Sequence, residues 1–200
     1  MNEKGRRVLL SRMAIISIFL TIFCLVSIPD HSTGEVNNSL LTTFGEGKIT
    51  VRLYADYFCG PCSYLEPRLE GIVERLVKKN LINITFIDVP FSKHSSLYIR
   101  HFLYALNEKK TLEYAFKTRT ILFNAAREKI TEPSNLEAYL SKNGIKIKPF
   151  DPKHVYETFE RYLNKEDNIN ATPSCVIFRG DKKETYKGAS DIIKALEGLE

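Results

Sequence analysis

The sequence predicts an α/β fold: a mixed central sheet with helices on its faces and a helical insertion. Three observations predict it. Two β-type runs, Ile49 to Tyr57 and Leu81 to Val89, flank one amphipathic helical stretch. A long helical tract follows, from Ser96 to about Asn143. The chain then closes on a helix, a short apolar strand, a hairpin strand and a last helix, an order that places helices against a sheet. The composition agrees: 200 residues, 44% hydrophobic and 26% charged, with 10 Gly and 8 Pro, is a globular balance that excludes collagen-like, mucin-like and wholly disordered chains.

Each element has its own signal. Ser39 to Phe44 reads as a first strand, stopped by Gly45-Glu46-Gly47. Ile49 to Tyr57 is rich in β-branched and aromatic residues. A helix runs from about Pro61 to Lys79, with Leu65, Leu69, Ile72, Val73, Leu76 and Val77 on one apolar face. Pro61 fits a first helical turn, whereas Pro67 is expected to kink the helix. Leu81 to Val89 is bounded by Pro90. Breaks at Asn107 to Thr111 and Thr131 to Ser134 divide the helical tract into three. A fourth helix of this block runs from Pro152 to about Asp167, with Asp151 as its expected cap. Ser174 to Phe178 is a short buried strand, Arg179-Gly180-Asp181 a turn, Glu184 to Lys187 a hairpin strand, and Asp191 to Leu199 the closing helix.

The first residues look like an address. Lys4, Arg6, Arg7 and Arg12 precede an apolar run over residues 13–28, which Pro29-Asp30 breaks. The length of the run and the lack of an A-x-A site favour an uncleaved anchor over a cleaved signal peptide. Basic residues before the run place the rest of the chain outside the cytoplasm. The net charge of +5 is mild, and the first thirty residues hold part of it, so nothing in the balance calls for a nucleic-acid partner.

An exported setting changes how the 4 Cys are read. Cys24 falls in the apolar run and reads as membrane filler. Cys175 falls within a short strand and reads as a buried thiol, the sharper alternative being a third redox group. Cys59-Gly60-Pro61-Cys62 stands at a strand-to-helix junction. There Cys59 occupies the helix N-terminus, where unpaired N–H groups and the helix dipole stabilise a thiolate. Cys62, one turn on, is close enough to resolve a mixed disulfide. A zinc site would need two further ligands; His94 and His101 have no pattern tying them to the cysteines. No cofactor is implied. Thr172-Pro173 precedes the late strand; it reads as an ordinary turn proline or, with its peptide bond cis, as a place where the preceding backbone is exposed to pair with a substrate chain as an added strand.

These segments carry a resemblance. VRLYADYFCGPCSYLEPRLEGIV resembles the active-site segment of thioredoxin-fold oxidoreductases. FIDVPFSKHSSLYIRHFLYALNEKK is similar to the DsbA-like branch, in which a strand ending in Pro-Phe or Pro-Leu leads into inserted helices. INATPSCVIFRG resembles the family's cis-proline strand. The likeness covers about Ser39 to Leu199. It implies a thioredoxin fold over residues 35–200 with a helical insertion at about 94–150, after a signal-anchor or signal peptide and short linker over 1–34. It implies Cys59 as attacking cysteine, Cys62 as resolving cysteine, Gly60 and Pro61 as the motif that tunes them, and Thr172 and cis Pro173 lining the substrate groove.

Three features depart from the family pattern. Gly60-Pro61 is the dipeptide of reducing thioredoxins, while oxidising DsbA proteins usually carry a His between the cysteines. Phe58 replaces the thioredoxin Trp. Leu53 stands where thioredoxin has a buried Asp, so water or another residue must take the proton of Cys62. Asp56 and Glu66 are near in sequence and read as solvated surface charges.

The expected function is an extracytoplasmic, membrane-tethered thiol–disulfide oxidoreductase that makes, breaks or exchanges disulfides in exported proteins. A membrane redox partner would recharge it. The family shape argues for an oxidase and Gly60-Pro61 for a reductase. The short Glu35 to Asn38 linker leaves no room for the dimerisation domain of an isomerase. The alternative is a thioredoxin-fold binding or metal-delivery module that uses the cysteine pair as ligands.

Overall fold

Five strands form one sheet: β1 (Thr43–Phe44), β2 (Ile49–Ala55), β3 (Ile82–Asp88), β4 (Ser174–Arg179) and β5 (Lys182–Lys187), in the spatial order β1-β3-β2-β4-β5. This is a computed structural model, and it describes residues 41–200. The expected anchor over residues 13–28 and Cys24 lie outside the described residues. Among the described residues no helix is long and apolar enough to cross a membrane.

Among the described residues six α-helices accompany the sheet: α1 (Gly60–Lys78), α2 (Ser95–Glu108), α3 (Leu112–Arg127), α4 (Pro133–Lys142), α5 (Lys153–Glu160) and α6 (Ala189–Glu197). Strands β2 and β3 are parallel, so the chain must cross over between them, and α1 is that crossover. The other pairings, β1 with β3, β2 with β4 and β4 with β5, are antiparallel. Helices α2, α3 and α4 lie between β3 and β4, where the helical insertion was expected, and α5 follows them on the way to β4.

The central strands β2 and β3 are buried or half-buried at every position because both of their faces are covered, even where they carry Arg52, Thr85 and Asp88. Val51, Leu53, Ile82, Ile84 and Phe86 are almost wholly excluded from solvent. Phe86 meets Phe116 of α3 edge-on at 5.3 Å, which fastens the inserted helices to the sheet. Leu69, Ile72, Val73 and Leu76 form the buried face of α1. Gly47 allows the close approach of the β1–β2 turn to β3, since a Cβ there would lie 2.1 Å from the Ile82 nitrogen.

Several elements differ in extent from the sequence expectation. The first strand is only Thr43–Phe44, because residues 41 and 42 form a turn before it. Helix α1 continues uninterrupted past Pro67. That proline faces solvent, where water can satisfy the carbonyl it leaves unpaired. The hairpin strand starts two residues earlier than expected, at Lys182. Pro152, not Asp151, is the cap residue of α5, although Asp151 still accepts the Lys153 N–H at 3.0 Å.

The α5 helix also ends sooner than expected, at Glu160, and Arg161–Glu166 continues as a π-helical turn. The wider turn brings Tyr162, Glu166 and Asp167 onto Arg52 of β2. The Arg52 guanidinium lies 3.7 Å from the Tyr162 ring centroid and 4.9 Å from that of Phe178. It donates to Glu166 at 2.8 Å and to Asp167 at 3.1 Å. Asp167 also accepts from the Tyr54 hydroxyl and pairs with Lys183 at 2.8 Å.

Candidate active site

The site begins where β2 ends. Asp56 folds back on the chain ahead of the cysteines: its Oδ1 accepts the Phe58 N–H at 2.7 Å. Its Oδ2 accepts the Ser92 N–H at 2.9 Å and the Ser95 hydroxyl at 2.8 Å. These bonds join the end of β2 to the start of α2 and fix the turn that presents Cys59. Phe58 packs edge-on against Tyr98 at 5.0 Å, and Tyr57 against Phe123 at 5.0 Å. Asp56 is 1% exposed, so it is an internal strut and not the solvated charge its sequence position suggests.

Cys59 is the N-cap of α1. Its sulfur takes the place that Ser, Thr or Asp takes in ordinary caps, accepting the Cys62 N–H at 3.3 Å. The Cys62 thiol donates to Cys59 Sγ, with the sulfurs 2.6 Å apart. The hydrogen bond from Cys62 is the main reason the Cys59 thiol falls to about 6; burial opposes it, and Thr172 and the Cys62 backbone N–H add to it. Cys62 moves the opposite way. It is buried, and its hydrogen bond to Cys59 together with desolvation holds its proton on far above the usual thiol range. One sulfur is thus a partly exposed nucleophile and the other a protonated reserve.

The Thr172 carbonyl oxygen faces the Cys59 sulfur at 3.3 Å. The Thr172–Pro173 peptide bond is cis. Pro173 is buried, its carbonyl accepts the Gly188 N–H at 3.0 Å, and Thr172 is half-exposed beside the cysteines. The six residues singled out from the sequence therefore fall in one place: Cys59, Gly60, Pro61 and Cys62 on the first turn of α1, and Thr172 and Pro173 at the entry to β4.

Cys175 is elsewhere. It is fully buried in β4 opposite Leu53, and desolvation pushes its thiol up to about 12. Among the described residues no group of His, Cys, Asp and Glu is placed to hold a metal ion. His101 is buried, with Nδ1 2.8 Å from the Leu97 carbonyl.

The sequence reading missed a charged cluster behind the site. Glu66, one turn beyond Cys62, is 3% exposed and lies against Arg119 of α3. Arg119 donates to both Glu66 oxygens, at 2.6 and 3.0 Å, and to Asp88 Oδ1 at 2.7 Å. The Tyr57 hydroxyl donates to Asp88 Oδ2 at 2.9 Å. Burial pushes both carboxyls upward against the pull of Arg119, whose own charge they hold firmly in place. Glu66 was expected at the surface. A signal did exist: it sits in register with the buried stripe Cys62, Leu65, Leu69, Ile72 and Val73, where a charge needs a buried partner.

A groove of about 530 Å³ opens beside the cysteines. Cys59, Ser63 and the exposed ring of Tyr64 form one wall, from the start of α1. Arg127 and Lys129 form the other, at the end of α3.

Comparison with known proteins gives the family. A thioredoxin family model matches residues 45–197. No curated protein matches the chain. Similar solved structures include a periplasmic thioredoxin-like protein from Salmonella enterica serovar Typhimurium. It is 22% identical, with 78% of this chain and 88% of that one covered and a TM-score of 0.55. The catalytic domain of Proteus mirabilis ScsC is 20% identical, with 78% and 85% covered and a TM-score of 0.58. The thiol-disulfide exchange protein alpha-DsbA2 from Wolbachia pipientis is 18% identical, with 79% and 86% covered and a TM-score of 0.52.

Proposed function

The chain belongs to the thioredoxin family, and on that premise we propose that it is an extracytoplasmic thiol–disulfide oxidoreductase acting on exported polypeptides through Cys59 and Cys62. The observation that carries this reading is the inequality of the two thiols. Cys59 caps α1 half-exposed, accepting the Cys62 N–H at 3.3 Å and the Cys62 thiol at 2.6 Å, while Cys62 is buried beneath it, which lowers the first thiol and raises the second. That division of labour is what disulfide exchange requires.

The steps follow from the geometry. The Cys59 thiolate attacks one sulfur of a substrate disulfide; that S–S bond breaks, and the other substrate sulfur leaves as a thiolate. Cys62 then gives up its proton and attacks Cys59 Sγ, releasing the second substrate thiol. The pair is left as a disulfide, and two electrons have passed to the substrate. In the opposite direction a substrate thiolate attacks the Cys59–Cys62 disulfide, and the pair collects the two electrons. Thr172 lies where an extended substrate chain would run past Cys59, with its carbonyl as one backbone contact.

Export and tethering rest on the apolar run over residues 13–28 behind basic residues. The periplasmic description of the Salmonella relative fits that setting. A membrane redox partner returns the pair to its working state after each turnover. Holding Cys59 as a thiolate stabilises the reduced pair, which makes the disulfide more oxidising than that of an unperturbed dithiol.

The test is the reduction potential of the pair, measured by equilibration with glutathione. A value between those of thioredoxin and DsbA, about −270 and about −120 mV, is expected. Cys59→Ser is expected to abolish exchange and Cys62→Ser to accumulate mixed disulfides. Turnover that survives in the Cys59 variant, or stoichiometric metal on the reduced protein, overturns the assignment.

A further inference from the structure

We propose that the groove beside Cys59 selects polypeptide segments with acidic residues next to the reacting cysteine, and that Arg127 and Lys129 are the specificity-determining side chains. The proposal rests on the exchange function assigned to Cys59 and names a substrate class for it.

The groove has a charge imbalance. Arg127 and Lys129 are exposed on the wall facing Cys59; Arg127 donates to the Asn124 side-chain oxygen, a neutral partner, and neither cation is paired with a carboxylate among the described residues. Glu128, between them in sequence, does not line the groove; its carboxylate accepts the Tyr139 hydroxyl at 2.7 Å. A further cation lies against the opposite wall without lining the groove itself. Arg68 stacks on Tyr64, its guanidinium 3.6 Å from the ring centroid, and donates to the Tyr64 carbonyl. Asp56 is buried and already accepts three hydrogen bonds. A chain entering with a Cys toward Cys59 passes between an aromatic ring and two unneutralised cations. An Asp or Glu flanking that Cys fits this arrangement, and a Lys or Arg is repelled.

The backbone under Lys129 makes the same point independently. Helix α3 ends with the Lys129 N–H on the Ala126 carbonyl and the Ile130 N–H on that of Ala125. In such an ending the residue after the cap takes a left-handed conformation and is usually Gly. Lys129 occupies it with φ 58. The helix dipole accounts for a cation near a helix C-terminus. It does not account for a lysine where the backbone favours glycine. Lys129 therefore places a charged side chain on the groove wall at a position where the backbone favours glycine.

The test uses the full-length reduced protein and three peptides that each carry one Cys as a mixed disulfide with 2-thiopyridine. The residues flanking Cys are Asp and Glu, Ser and Gln, or Lys and Arg. Cys59 thiolate attacks the peptide sulfur, the S–S bond breaks, and pyridine-2-thione is released and read by absorbance. Cys62 then displaces the peptide thiol from Cys59, leaving the protein pair oxidised by two electrons.

At low salt the acidic peptide is expected to react about tenfold faster than the basic one, with the difference shrinking as salt rises. In Arg127→Gln/Lys129→Gly the acidic-to-basic ratio is expected to fall to about one. Lys129→Gly alone is expected to keep or raise the melting temperature, which separates lost selectivity from lost folding. Equal rates for the three peptides with the unaltered protein, or an undiminished ratio in the double variant, overturns the proposal. A protein that releases no thione even from the neutral peptide refutes the exchange function itself.

Discussion

Arg119 grips Glu66 through two nitrogens, at 2.6 and 3.0 Å, in the interior behind the cysteine-bearing turn. Because the third nitrogen reaches Asp88, one side chain of α3 ties α1 to the end of β3. Arg119→Leu leaves two carboxylates buried without a counter-charge. A loss of about 3–5 kcal/mol is expected, read as a lower urea midpoint at unchanged slope. Replacing the whole network by apolar residues, with Glu66→Met, Asp88→Leu and Tyr57→Phe added, is expected to recover most of that loss. Recovery of nothing would mean the residues act as separate packing contacts and not as a charge network.

Cys59 should titrate well below an ordinary thiol. Its alkylation rate by iodoacetamide is expected to rise with a midpoint at about pH 6. In Cys62→Ala the midpoint should move upward, since the Cys62 hydrogen bond is the leading cause of the depression. A midpoint unmoved by that change would shift the credit to Thr172 and the helix.

The same depression makes stability depend on pH in the reduced state only. A thiol whose pKa is lower folded than unfolded contributes stability that is fully present above the unfolded value of 9.0. That contribution is lost as pH falls through about 6. Reduced protein is therefore expected to gain stability relative to oxidised protein between those limits. Parallel pH profiles for the two forms in chemical denaturation would contradict the thiolate assignment.

Cys175 is expected to be a packing residue. Native protein should resist alkylation there until it unfolds, because the sulfur is fully buried and its proton is held up to about 12. Cys175→Ala should cost about 1 kcal/mol of stability and leave the redox titration unchanged. A shifted potential in this variant would make it a third redox thiol.

Asp167 should anchor the π-helical turn to the sheet. Asp167→Ala removes the shared acceptor of Arg52 and Tyr54 and the partner of Lys183. A loss of about 2–3 kcal/mol is expected, read as a lower melting temperature. An unchanged melting temperature would show the cluster to be a surface ion pair of little weight.

What could be read from the sequence was short in range. The Cys59-Gly60-Pro61-Cys62 turn, the long β-type runs and Thr172-Pro173 declare themselves within a few residues, and the structure brings them together. The cluster of Glu66, Asp88 and Arg119 does not, because its partners lie 31 and 53 residues from Arg119 and each alone resembles a solvated charge. Arg119 does sit in a buried stripe of α3, with Ala115, Thr118, Leu122 and Phe123, so the apolar period was the usable clue. Asp56 was hidden differently: its three donors, from the turn after β2, the loop after β3 and the first residue of α2, are brought close only by the β2–β3 pairing. The π-helical turn after α5 had no local signal, and its place is explained by the grip of Arg52 on Tyr162 and Asp167.

The two edges of the sheet have a consequence for life among unfolded chains. A protein that handles clients with exposed, unpaired backbone risks becoming a template for their aggregation. One edge here, β1, is two residues long and offers almost nothing to extend. The other, β5, carries charged side chains at four of its six residues, Lys182, Lys183, Glu184 and Lys187, which disfavour alignment of an apolar strand along it. If exported polypeptides are its substrates as proposed, backbone pairing with them is discouraged along both flanks of the sheet, and mixtures of the protein with unfolded polypeptide are expected to remain clear to light scattering.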